Sequence, residues 1–135
     1  MLKVSAAQKI LGIKMKTVAI LLAAVSTSLC AATLTHNCKF TTVASPKEVQ
    51  KLQKSFDLKF MSDTLTNKSY MVGNAGIEPV NAIANDGGIS FIEFTGSGNV
   101  QVTAVTKSGD AVHSRNTIMS GDLVPSQYYG KCTIE

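Results

Sequence analysis

The feature that most constrains this chain is the regular return of turn residues through its second half. They cluster at Leu65-Thr66-Asn67-Lys68, Gly73-Asn74-Ala75-Gly76, Asn85-Asp86-Gly87-Gly88, Thr95-Gly96-Ser97-Gly98-Asn99, Lys107-Ser108-Gly109-Asp110 and Ser120-Gly121-Asp122. Each cluster is rich in residues that accept positive φ or bond their own backbone. A spacing of about 8 to 12 residues between turns is that of a β-sandwich or barrel, and excludes the longer crossovers of βαβ units. Between the turns the hydrophobic period is two: Phe56, Leu58 and Phe60 alternate with Asp57 and Lys59. The predicted strands are Asp57 to Asp63, Ser69 to Val72, Ile77 to Ala84, Ile89 to Phe94, Val100 to Thr106, Ala111 to Met119 and a less regular one from Leu123 through Gly130. Pro79 and Pro125 each remove a ladder donor, which suits an edge, a bulge or a strand end. The fold class that follows is all-β, an antiparallel meander closing into a small barrel or sandwich.

The 135 residues leave room for one domain. Their formal charge of +4 suggests an anionic partner until its distribution is read. Lys3, Lys9, Lys14 and Lys16 all precede the apolar run TVAILLAAV, which is followed by the small and polar STSLCAA. That order of charged head, short apolar body and small-residue site is a signal peptide, with cleavage expected after Ala32. Residues 1–32 are therefore assigned to export, with 1–14 as an over-extended start before Met15, and 33–135 to a single secreted β domain. Without those four lysines, nine basic groups face nine acidic ones. The expected mature chain is neutral, without a basic strand face for nucleic acid and without a membrane span. Cys30 lacks the small preceding residue of a lipid-attachment site, since Leu29 stands there.

If Cys30 leaves with the signal, Cys38 and Cys132 remain, an even count in a periplasmic or extracellular setting. A disulfide between them is expected, and it would lay the first and last segments of the domain side by side. Near the start of the domain, Ser45 and Glu48 have capping-box spacing and Pro46 suits a first helical position. One short helix is predicted from Pro46 to about Lys54, with an irregular edge segment as the alternative. Lys47, Lys51 and Lys54 then form a solvated face.

Val112-His113-Ser114-Arg115 and Ser126-Gln127-Tyr128-Tyr129-Gly130-Lys131-Cys132 carry a resemblance that extends back to about Phe56. In these segments the chain resembles an uncharacterised family of small secreted β-rich bacterial proteins. The resemblance implies export, a β-rich fold and a C-terminal cysteine. It brings no activity, cofactor or catalytic residue with it.

Catalysis finds little support in the residues. His36 and His113 are the only histidines, no serine sits in a G-x-S-x-G elbow, and no Gly-rich loop precedes a helix. Neither a metal nor another cofactor is expected from two distant histidines and two paired cysteines. Asn67-Lys68-Ser69 matches a glycosylation sequon but reads as a turn. The polar cluster that stands out is His113-Ser114-Arg115, because Arg115 is the sole arginine. On a strand His113, Arg115 and Thr117 share one face, outward in a sandwich or towards the lumen in a barrel. The candidate binding residues are His113, Arg115, Gln127 and Tyr128, a guanidinium beside a ring that could stack or grip a carboxylate. The competing reading has Arg115 tying strands together through Asp110 or Glu93.

The function expected on these grounds is a non-catalytic binding or inhibitory module of the cell envelope, with an envelope protein or a small ligand as partner. The alternative is a structural or stress-related envelope protein without a dedicated pocket, and a hydrolase comes third. A conical cavity would favour a small ligand, whereas a filled core with a protruding apolar loop would favour a protein partner.

Overall fold

A computed structural model describes residues 32–135. The expected signal peptide, the expected start at Met15 and Cys30 lie outside the described residues. Eight strands follow one another: β1 (Thr33–Ala44), β2 (Val49–Asp63), β3 (Lys68–Gly73), β4 (Gly76–Asn85), β5 (Gly88–Phe94), β6 (Val100–Thr106), β7 (Asp110–Met119) and β8 (Asp122–Ile134). Each pairs antiparallel with the next, and β8 returns to β1, so the sheet is a closed barrel. Closure removes the unpaired edges that an open meander would present to other chains. No described residue is helical.

The helix predicted over Pro46–Lys54 is therefore corrected to a hairpin tip leading into β2. Ser45 Oγ does accept the Lys47 and Glu48 amides, each at 3.3 Å, as a helix cap would. The Ser45 amide, however, donates to the Glu48 carbonyl at 2.9 Å, which reverses the chain and aligns Thr42 with Lys51. A serine that bonds its own backbone serves a turn as well as a cap. Once β1 offered a ladder, the extended form had a partner and the short helix had none.

The two prolines within strands, Pro79 and Pro125, sit where the strand has a neighbour on one side only. β4 pairs with β3 through Gly76–Val80 and with β5 through Asn81–Asn85, a stepped register that leaves Pro79 opposite Tyr70 alone. Pro125 faces Asn116 in β7, beyond the point where β8 stops pairing with β1 at Gln127. A residue with one neighbouring strand has only one side on which a missing N–H can break the ladder, which suits proline.

The barrel interior is filled at its waist. Phe40, Phe60, Phe91, His113 and Thr103 are the largest fully buried side chains, with Leu58, Met71, Val80, Val105 and Ala111 around them. Phe60 and Phe91 stack at 4.3 Å between centroids, 9° from parallel. Cys38 and Cys132 are direct partners across the β1–β8 seam and are joined by a disulfide, so the bridge staples the line on which the barrel closes. Beside it Gly130 faces Phe40 next to a bulge in β1. A Cβ there would lie 2.0 Å from the Lys39 carbonyl oxygen, a backbone atom that cannot turn aside. Gly130→Ala is expected to cost about 2 to 3 kcal/mol, as overpacking against rigid surroundings does. Equilibrium urea unfolding measures it, and an unchanged midpoint would show that the seam has slack.

Candidate functional site

Alternate turns of a meander lie at the same end, so the turns at 45–48, 74–75, 95–99 and 120–121 form one rim of the barrel, here called the upper rim. The strand register builds two interior rows below it. In the lower row Phe91, Thr103, His113 and Tyr128 stand on successive strands; in the upper row Glu93, Gln101, Arg115 and Ser126 do. Because side chains alternate along a strand, both rows point into the lumen. An aromatic and histidine layer thus carries a polar layer above it.

His113 is almost wholly buried, its Nδ1 2.7 Å from the Thr103 hydroxyl and its ring packed among Phe40, Phe56 and Tyr128. Its Nε2 has no partner. Burial, and then the positive charge of Arg115, lower its pKa to about 4, so it is neutral at pH 7. His36 is buried edge-on against Phe91, and burial lowers its pKa as well.

Above this layer the lumen opens as a cup of about 310 Å³. Phe56, Leu58 and Met71 make its floor, and Glu78, Glu93, Gln101 and Arg115 its polar wall. Arg115 lies with its guanidinium carbon 5.9 Å from the Tyr128 ring centroid, within cation–π range. It forms no ion pair within 4.0 Å; among the described residues the one such pair is Lys131–Asp110, an exposed pair at the other end. Arg115 Nε and Glu93 Oε2 are buried without a hydrogen-bond partner. Burial, reinforced by the charge of Glu78, raises the Glu93 pKa, and Arg115 offsets part of that rise.

Of the four candidate binding residues, the structure brings His113, Arg115 and Tyr128 together inside the lumen. Gln127 is on the opposite face of β8, exposed, and accepts the Tyr129 hydroxyl at 2.6 Å. Of the acids considered as ties for Arg115, Asp110 is taken by Lys131 at 2.6 Å and Glu93 stays outside ion-pair distance. Sequence reasoning missed Glu78 and Gln101 as wall residues. The signal was available in the alternation, since Glu78 shares parity with buried Val80, and Gln101 with buried Thr103.

A hairpin projects beyond the upper rim. Beyond Asn116 and Pro125, β7 and β8 pair only with each other, and the ribbon exposes Ile118, Met119, Leu123 and Val124. The Asn99 side chain holds the Ile118 amide at 3.0 Å, fixing the base of the ribbon to the neighbouring turn. Chemically the site is a mainly apolar cup with a few charged and amide groups in its wall, and an apolar ribbon rises from the same rim. Compared with family models, curated proteins and solved structures, the chain matches none.

Proposed function

We propose that this chain is a non-catalytic binding or inhibitory module of the cell envelope, periplasmic or secreted, that receives the polar end of a partner in the cup at its upper rim. The observation that carries this reading is the pair of buried, unpartnered polar atoms, Arg115 Nε and Glu93 Oε2, in the wall of one open cup. Charged side chains that line a cavity without an ion pair leave electrostatic free energy unclaimed, which a ligand pairing with their accessible atoms would recover. The filled waist argues for a ligand that inserts one group rather than one enclosed whole, and the apolar ribbon beside the cup suits the body of a protein or peptide partner. A guanidinium, an amide and two carboxylates over an apolar floor are recognition chemistry. A disulfide fits an oxidising compartment and so supports export.

Arg115→Ala tests the reading. Because Arg115 holds no ion pair, its removal is expected to leave the melting temperature within a few degrees of the parent while a partner captured by the parent from envelope extract is lost. A variant that melts much lower yet still captures that partner would mark Arg115 as structural.

A further inference from the structure

We propose that the cup recognises a carboxylate and an alkyl ammonium carried on one residue-sized group, the chemistry shared by free lysine and by a lysine at the C-terminus of a peptide. The inference rests on the binding role of the cup and names what enters it.

The upper interior row sets the spacing. Glu93, Gln101 and Arg115 stand on three consecutive strands, so two inter-strand steps, roughly 9 to 10 Å, separate the backbones of the acid and the base. Their side chains share the lumen without meeting within 4.0 Å, and Gln101 stands between them with an amide that can donate or accept. Each end of the row is thus left a charge to satisfy. At one end the guanidinium, placed over the Tyr128 ring, holds no ion pair and carries the planar fork that matches a carboxylate.

At the other end two carboxylates oppose each other. β4 and β5 stop pairing at Asn81 and Ile92, and across the resulting step Glu78 and Glu93 line the same cup. Burial, and after it the charge of Glu78, hold the Glu93 carboxyl above its ordinary value, with a partial offset from Arg115. An ammonium placed between the two acids removes that repulsion. Phe56, Leu58 and Met71 beneath offer an apolar bed for the methylene stem joining the two charges. The cup volume of about 310 Å³ is at the small end of ligand sites, which suits one residue and not a long segment. The wall sets two carboxyl groups against one guanidinium, so a ligand residue with net charge zero or +1 is favoured over an anion.

Isothermal titration calorimetry on the domain with its disulfide intact tests the proposal with four probes: L-lysine, Gly-Gly-Lys, the C-terminal amide of Gly-Gly-Lys, and Gly-Gly-norleucine. At least one of the first two is expected to bind. Each of the last two is expected to bind at least tenfold more weakly than Gly-Gly-Lys or, if free lysine alone binds, not at all. Binding by the free-acid tripeptide identifies a chain end as the natural source; binding by lysine alone identifies the free amino acid. Arg115→Gln should abolish the preference for acid over amide, and Glu93→Gln the preference for lysine over norleucine. Failure of both lysine and Gly-Gly-Lys to bind at millimolar concentration, or amide and norleucine affinities within twofold of the parent, overturns the proposal. The probe comparison needs no variant, so it decides even if a substitution prevents folding. Arg115-dependent capture of a protein that persists alongside a negative titration would retire the lysine chemistry and leave the binding role standing.

Discussion

Reducing the Cys38–Cys132 bridge is expected to lower the melting temperature by on the order of 20 °C. The two cysteines are 94 residues apart in sequence, so the bridge closes nearly the whole described chain into a loop. In the chain-entropy treatment a loop of that length restricts the unfolded state by about 4 to 5 kcal/mol. A domain of this size has a total stability of roughly 5 to 15 kcal/mol, so the bridge contributes a large share. Both cysteines are buried on the lumen side of the seam, where water and reductant have poor access. Thermal unfolding followed by circular dichroism, with and without a phosphine reductant, reads the difference; a Cys38→Ser/Cys132→Ser double variant checks that reduction was complete. A shift of only a few degrees would mean that strand pairing alone holds the closure and that the bridge is secondary.

Acidification is expected to destabilise the barrel from about pH 6.5 down to about pH 4, and His113 is the main cause. Its folded pKa of about 4 lies below the ordinary 6.5 of a free histidine. The unfolded chain therefore takes up the proton first as the pH falls. The stabilising effect of keeping this ring neutral is complete above about pH 6.5 and disappears as the pH falls through the folded value. A shift of that size corresponds to about 3 kcal/mol across the window. His36, also lowered by burial, acts in the same direction. Glu93 opposes them, because an acid with a raised folded pKa is relieved by protonation and so favours the fold as the pH drops through its range. Urea midpoints measured from pH 7.5 to 4 should fall steadily, and His113→Gln, which keeps a polar partner for Thr103, should flatten the profile. An unchanged profile in that variant would assign the acid sensitivity to His36 and the carboxylates.

The strands from Asp57 onward were legible because two signals agreed: alternation within each run and turn chemistry between runs. Asn67 and Gly109, for example, adopt positive φ at turns that their residue types announce. What stayed hidden depended on distant partners. Thr33–Ala44 alternates much as the other strands do, with His36, Cys38 and Phe40 inward, yet it lies on the closing seam, and closure is not a local property. The upper part of β2 was masked by the Ser45 and Pro46 signature, which is shared by helix starts and turns. The pairing of Cys38 with Cys132 could be read only once Cys30 was assigned to the export signal. The cup was half legible. The parity of His113 and Arg115 puts them on one face in any strand, and Tyr128 joins them only once β7 and β8 are in register. Whether that face met water or the lumen depended on whether the sheet closed, which no single strand records.

The topology also carries an order of events. Seven of the eight pairings join strands that are neighbours in the sequence, and one joins the two ends of the domain. Hairpins of the first kind need short loops and form on local contacts, whereas the last pairing must bring residues about ninety positions apart together. The two thiols become neighbours only when β1 and β8 have found each other. On this topology oxidation is expected to follow the laying down of the meander, so that the bridge latches a finished ring instead of guiding its assembly.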